Sequence, residues 1–230
     1  MERIFITGAS RGIGRAIALR LATPGRELHL QGRDQEALVE AFTDIEARGA
    51  RAEIHVCDLS DPAAIERMLV KLDGTSFDVL VNNAGIAIVK PFDQITPKEW
   101  AQTIAVNVTA PIILMGRLAP RIPRGGAIVN ILSISARVGF PNWSSYAMSK
   151  FAIEGFSQSV REELRPRGVR VINVYPTATA TELWDGVDGD WPREKMLPPE
   201  EVAEAVVYAL GRAADVAVEN ISVGNISGTL

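Results

Sequence analysis

Tyr146 and Lys150 stand four residues apart in SSYAMSKFAIEGF, a stretch that reads as the start of a helix. Positions i and i+4 share one helix face, so a phenol and an ammonium are held side by side. A free phenol, with a pKa of about 10, is a poor acid–base group at neutral pH. A neighbouring cation favours the phenolate and is expected to pull that pKa toward the working range. Alone, the pattern more often marks a solvated helix face, and its weight comes from what lies upstream. TGASRGIG, residues 7–14, follows the first strand-like run and precedes a helical pattern. Gly8, Gly12 and Gly14 in that turn would let a pyrophosphate approach backbone N–H groups at the positive end of the next helix. The spacing is G-x-x-x-G-x-G rather than G-x-G-x-x-G.

The elements that must position these groups alternate. Strands are expected over 3–7, 27–31, 52–57, 78–83, 127–132, 169–175 and 219–223. Helices are expected over 13–22, 35–48, 62–72, 98–106, 144–165 and 200–212, and a further helical pattern runs through 109–118. The alternation predicts βαβ units and a parallel sheet. Runs such as VLVNN and AIVNIL are apolar on both faces, as a sheet covered by helices on two sides requires. The long irregular stretch 177–199 is expected to be a substrate loop.

The tip of the second strand reads Leu30-Gln31-Gly32-Arg33. An NAD site would place an acid there for the ribose 2′-hydroxyl; Gly32 followed by Arg33, with Arg11 in the glycine turn, suits a 2′-phosphate instead. Asp34 is the counter-signal, one residue late and positioned to begin the next helix. NADP(H) is therefore the expected cofactor, with NAD(H) the alternative.

TGASRGIG, NNAG at 82–85 and YAMSK at 146–150, in this order, resemble the short-chain dehydrogenase/reductase family over essentially the whole chain. The resemblance implies a Rossmann-type doubly wound α/β fold with seven parallel strands in order 3-2-1-4-5-6-7, one dinucleotide-binding oxidoreductase domain over 1–230. It implies catalytic roles for Ser133, Tyr146 and Lys150, with Asn107 kinking a central helix and holding a water near the lysine. It places Gly8, Ser10, Arg11, Gly12, Ile13, Gly14, Arg33, Asp58, Leu59, Asn83, Ala84, Gly85, Tyr146, Lys150, Pro176, Thr179 and Thr181 against the cofactor. Thr177 stands where the family has the glycine of PGxxxT, and Leu132 where a second serine is frequent. Ser135 is a nearby hydroxyl with the wrong spacing to Tyr146 for the orienting role. It also implies a dimer or tetramer through the helices at 109–118 and after Tyr146.

Ser135, Phe140, Trp143 and Trp184 are candidate substrate contacts, from loops at 135–143 and 182–197; Trp191 belongs with them. Loop packing or a subunit contact is the competing reading for the tryptophans. Trp100 reads as interface or core. His29 and His55 lie in strands without evident ligand companions and read as structural, since a zinc site needs three or four ligands. Cys57 reads as a small core residue and, as the one cysteine, allows no internal disulfide. The 230 residues carry 47% hydrophobic and 23% charged side chains and a formal charge of −4, so there is no basic footprint for nucleic acid or anionic membrane. A strand-like run so close to Met1 leaves no room for a secretory signal, and no apolar run approaches a spanning length of roughly 18 residues. A cytoplasmic enzyme acting on a small carbonyl or alcohol is the expectation. An idle nucleotide sensor and an S-adenosylmethionine methyltransferase are the readings from other classes; the intact Ser133–Tyr146–Lys150 set speaks against both.

Overall fold

Seven short strands, β1 (Glu2–Thr7), β2 (Arg26–Gly32), β3 (Arg51–Val56), β4 (Val79–Asn82), β5 (Ala127–Ile131), β6 (Arg170–Pro176) and β7 (Asn220–Val223), form one sheet in order β3-β2-β1-β4-β5-β6-β7. Every neighbouring pair is parallel. The computed structural model describes all residues except Asp188, Asp190, Ser227, Thr229 and Leu230. Two of these fall in the expected substrate loop, and that part of the expectation lies outside the described residues.

Successive side chains on the central strands enter two different cores. Ile4, Ile6, Val129, Ile172 and Val174 pack beneath α1 (Gly12–Leu21), α2 (Gln35–Glu46) and α7 (Pro199–Leu210). Phe5, Leu80, Ile128 and Val171 pack on the opposite face, beneath α3 (Pro62–Lys71), α5 (Ala110–Leu118) and α6 (Ser144–Leu164). This is why these strands are apolar at consecutive positions rather than alternating. Helix starts follow local chemistry. Asp34 caps α2 by accepting from Glu36 N and Ala37 N at 3.0 and 3.2 Å. Asp61 caps α3, with Pro62 in its first turn. Thr96 and Glu99 form a reciprocal capping box on α4 (Pro97–Ile104).

Three expectations change. The helix at 98–106 does not simply end: α4 continues through a π-helical turn, Ala105–Thr109, into α5. Asn107 is the reason: its amide accepts from Ile86 N at 2.9 Å and donates to Ile86 O at 2.8 Å and to Ser149 Oγ at 3.0 Å, and the widened turn points it there. The resulting helix, Pro97–Arg121, is long and apolar enough by length and composition to cross a membrane, contrary to the sequence reading. Its buried Ala110, Leu114 and Leu118 pack on the sheet, as a core helix does. Stretch 177–199 is not simply irregular. A parallel bridge from Thr179 to Leu197 closes its base, two 3₁₀ turns lie within it, and Trp184, Val187 and Met196 form a small core of their own.

The sheet also carries a polar row. Asn82, Asn130, Asn173 and Asn220 are register partners on β4 to β7. Asn82 Nδ2 donates to Asn130 Oδ1 at 2.9 Å, and Asn130 Nδ2 to Asn173 Oδ1 at 3.0 Å. Asn173 Nδ2 in turn donates to Ser157 Oγ at 2.7 Å and Glu154 Oε2 at 3.1 Å on α6. A one-residue slip would leave buried amides unpaired, so the row specifies register.

His29 and His55 do acquire a companion: both rings lie 3.7 Å from Glu53 carboxylate oxygens. The arrangement is not a chelate. His29 Nδ1 and His55 Nε2 are 2.9 Å apart, the ring planes differ by 4°, and the centroids are 5.1 Å apart. That centroid separation is close to the N–N distance plus two ring radii, so the rings meet end to end through one shared proton. Burial, reinforced by His29 and Lys71, pushes His55 down to about 4, and burial also lowers His29. Between pH 6.5 and about 4 the unfolded chain therefore binds protons that the native protein does not, and stability falls as pH falls through that window. We expect His55→Gln to flatten the loss of Tm between pH 7 and 4.5 by the equivalent of about 2 kcal/mol; an unchanged slope would rule the pair out as its source. Trp100 is 45% exposed and so is not core. Cys57 is buried, and its thiol is pushed up to about 11.

Candidate active site

The glycine turn and the NNAG turn are welded at the carboxyl ends of β1 and β4. Thr7 Oγ1 accepts from Asn83 N at 2.9 Å and Ala84 N at 3.0 Å, while Asn83 Nδ2 donates to Thr7 O at 2.9 Å and Gly8 O at 3.2 Å. Gly8 and Gly12 have φ of +64° and +54°, which only glycine adopts without strain. A Cβ on Gly14 would lie 2.1 Å from Gly8 O, so α1 presses directly on the turn. The first turn of α1 has no side-chain cap and no acidic residue. Its N–H groups and positive end are thus left for an anion.

The second cluster comes from β5 and α6. Ser133, at the end of β5, caps the turn Ile134–Ala136 by accepting from Ser135 N at 3.1 Å. Its hydroxyl is near enough to the Tyr146 phenol to favour the phenolate. Tyr146 and Lys150 lie one turn apart on the buried face of α6. Lys150 Nζ is 5.5 Å from the Tyr146 ring centroid and donates to Ile131 O at 2.9 Å. The electrostatics differ from the sequence expectation. Burial pushes Tyr146 up to about 12, opposed only by the neighbouring Ser133 hydroxyl, and burial pushes Lys150 down to about 8. In the resting protein desolvation outweighs the ammonium, because that ammonium is turned to a backbone carbonyl.

One cleft of about 840 Å³ joins the two clusters. Of the sequence-predicted residues, Gly8, Ser10, Arg11, Gly12, Ile13, Arg33, Asp58, Leu59, Asn83, Ala84, Gly85, Ser133, Tyr146, Lys150, Pro176, Thr179 and Thr181 line it, as do Ser135, Phe140, Trp143 and Trp184. Gly14 lies behind Gly8. Asn107 borders instead a separate cavity of about 20 Å³ beside Lys150, which Asn82 also lines. That volume admits one water. The buried Asn82 Oδ1 has no partner among the described residues. Arg11 and Arg33 flank the strand tip, and Arg33 helps hold the Asp58 carboxyl below its usual range, after the larger effect of Ser60 N. Asp34, the counter-signal, has its carboxylate committed to the α2 cap. Thr177, in place of glycine, donates its N–H to Val223 O at 2.9 Å and fits against Gly224.

Gln31 and Glu182 were missed. Gln31 Oε1 accepts from Gly8 N at 3.2 Å and its Nε2 donates to Cys57 O at 2.7 Å, bracing the turn from β2. A glutamine inside an apolar strand was the available signal. Glu182 reaches the glycine turn, its carboxylate 3.4 Å from where a Gly12 Cβ would lie. The sequence placed it at the start of the 182–197 loop, with nothing to mark a contact to the glycine turn.

The cavity fits a dinucleotide in shape and in its uncapped helix end. Comparison with known proteins agrees. The family model described as short chain dehydrogenase matches residues 2–190. A D-threitol dehydrogenase of Mycolicibacterium smegmatis is 34% identical over 226 residues, covering 91% of this chain and 85% of the relative. A short-chain dehydrogenase of Burkholderia cenocepacia, solved in complex with NADP, superposes with a TM-score of 0.88 at 32% identity over 97% of this chain and 96% of its own. An alcohol dehydrogenase of the archaeon Thermococcus sibiricus, complexed with 5-hydroxy-NADP, superposes with a TM-score of 0.91 at 29% identity over 100% and 99%. With the glycine turn, the NNAG turn and the tyrosine–lysine pair on one parallel sheet, this chain belongs to the short-chain dehydrogenase family of oxidoreductases.

Proposed function

We propose that the protein is an NADP(H)-dependent oxidoreductase that interconverts a carbonyl compound and the corresponding alcohol. The carrying observation is the single cleft with Arg11 and Arg33 at one end and Ser133, Tyr146 and Lys150 at the other. The cofactor, when bound, supplies or accepts the hydride; the chain supplies position and a proton. The α1 N-terminus and the turn 8–14 hold the pyrophosphate. The two guanidiniums take the 2′-phosphate, and Asp58 and Leu59 border the adenine. Pro176, Thr179 and Thr181 line the nicotinamide end. Ser133 orients the substrate oxygen, and Tyr146 gives it a proton in reduction or removes one in oxidation. Lys150 turns from Ile131 O to the ribose hydroxyls, and Asn107 holds a water that passes protons toward solvent. With Tyr146 up at about 12, the phenol is protonated at neutral pH, the form reduction needs. Oxidation needs the phenolate, so its rate should rise with pH, whereas reduction should not. The protein acts as one domain and assembles as a homodimer or homotetramer. Phe151 on α6, 46% exposed, is one apolar group available to a partner, and light scattering on the purified protein reads the assembly directly.

Thermal shift over NADPH and NADH series tests the cofactor. A ligand at 100 times its Kd stabilises by about 2.7 kcal/mol. We expect NADPH to act at far lower concentration than NADH. Arg33→Ala should raise the Kd for NADPH about 10- to 100-fold, the loss of one charge-assisted contact, with little effect on NADH. Equal response to both cofactors would refute the role given to the arginines, and no response to either would favour an idle scaffold.

A further inference from the structure

The catalytic end of the cleft has an aromatic wall. The Trp143 ring centroid is 5.4 Å from that of Tyr146, 5.6 Å from Trp184 and 6.1 Å from Trp191, and Trp184 and Trp191 are 4.9 Å apart. Trp184 is buried and donates its indole N–H to Thr179 O at 2.8 Å, so it is a fixed backing. Trp143 and Trp191 are half-buried and, with Phe140, border the cleft. The chain is bent to present Trp143: Asn142, just before it, has φ of +68°, a strained value for a side-chain-bearing residue. Its carbonyl accepts from Lys90 N at 2.9 Å, which ties the bend to the loop after the NNAG turn.

Charge is distributed in the opposite sense. Among the described residues lining the cleft, the cations are Arg11, Arg33 and Lys150. The first two belong to the strand-tip end, and the third is bonded to Ile131 O. Arg193, in the same loop as Trp184, is committed to Thr181 O at 3.2 Å and Asp185 Oδ1 at 2.5 Å. A carboxylate on the substrate would find no counter-ion beside this wall. A hydroxyl turned to this wall, as on the polyol for which the mycobacterial relative is named, would lose its water against indole carbon, weakening binding about tenfold per unpaired group.

We propose that the substrate is an uncharged ketone whose carbonyl is part of, or attached to, a flat apolar ring, together with the matching secondary alcohol. This rests on the oxidoreductase reading above and names its substrate class. The ring lies against Trp143 and Trp191 while the oxygen meets Ser133 and Tyr146. In reduction, hydride from NADPH forms the new C–H bond at the carbonyl carbon, and the C=O π pair takes the Tyr146 proton. NADPH leaves as NADP⁺, and the phenolate regains a proton from solvent.

The test compares 1-tetralone with a four-carbon polyhydroxy ketone under saturating NADPH. We expect kcat/KM to favour the aromatic ketone at least about a hundredfold. Trp143→Ala should raise its KM about tenfold, leaving the NADPH Kd within twofold, and Trp143→Phe should recover most of the loss. Loss of NADPH binding in the alanine variant would mark misfolding, and the phenylalanine variant and the wild-type comparison then decide. Quenching of indole fluorescence by 1-tetralone in the NADP⁺ complex, where no hydride is available, reads ring binding without turnover. Quenching without reduction of either ketone would sink the oxidoreductase reading and leave the ring pocket standing. Reduction of the polyhydroxy ketone with equal or better kcat/KM, or an unmoved KM in Trp143→Ala, would overturn the substrate assignment alone.

Discussion

Tyr146→Phe should reduce kcat about 10³-fold while leaving NADPH binding intact. The ring keeps its volume at a position that is only 9% exposed, and the hydroxyl facing Ser133 is what disappears. General acid–base help contributes about 10²–10⁴-fold, and no other phenol or imidazole lines the described cleft to replace it. The residue separates chemistry from binding because the groups assigned to phosphate and ribose lie elsewhere. Steady-state kcat and the NADPH-induced Tm shift, measured on the same preparation, check both halves. A variant that keeps more than a tenth of wild-type kcat would show that Tyr146 is not the proton donor.

Gly14→Ala should be the most damaging single-carbon change in the molecule. The added Cβ would sit 2.1 Å from Gly8 O and 2.5 Å from Asn83 Nδ2. Gly8 is held at φ +64°, and Asn83 is itself bonded to Thr7 O and Gly8 O. Neither obstacle is the free end of a flexible side chain, so α1 must move away from the turn that it supports. We expect about 3 kcal/mol of destabilisation and at least a hundredfold loss of NADPH affinity, read by urea unfolding and by titration. Gly32→Ala is the control. Its Cβ would meet only Leu38 side-chain atoms at 3.2–3.4 Å, which can shift, and it should cost under about 1 kcal/mol. Comparable losses of unfolding free energy in the two variants would mean that the close approach of α1 to Gly8 is not what holds the turn.

Much of this molecule is legible without coordinates because its determinants are local or periodic. Consecutive apolar residues in the central strands report a sheet covered on both faces, and the strand order follows from the family resemblance that TGASRGIG, NNAG and YAMSK carry together. The i to i+4 spacing puts Tyr146 and Lys150 on one face of α6 whatever surrounds them, and Asp34, late by one residue, becomes the α2 cap because its side chain suits that position. Tertiary structure decided what depends on distance and on burial. Desolvation raises Tyr146, and the Lys150 ammonium is bonded to Ile131 O, neither of which a four-residue spacing encodes. Asn107 widens a helix because Ile86 happens to lie across from it. His29 and His55 become a proton-sharing pair only when β2 and β3 align. Gln31 and Glu182 join the glycine turn from 23 and 170 residues further along the chain, with no motif to announce them. Three tryptophans scattered over two loops become one wall because an asparagine bend and a bridged loop bring them there. Sequence by itself determined the fold class and the placing of Tyr146 and Lys150 on one helix face; the pKa balance and the shape of the aromatic end of the cleft were set by packing, since each depends on which atoms exclude water from which others.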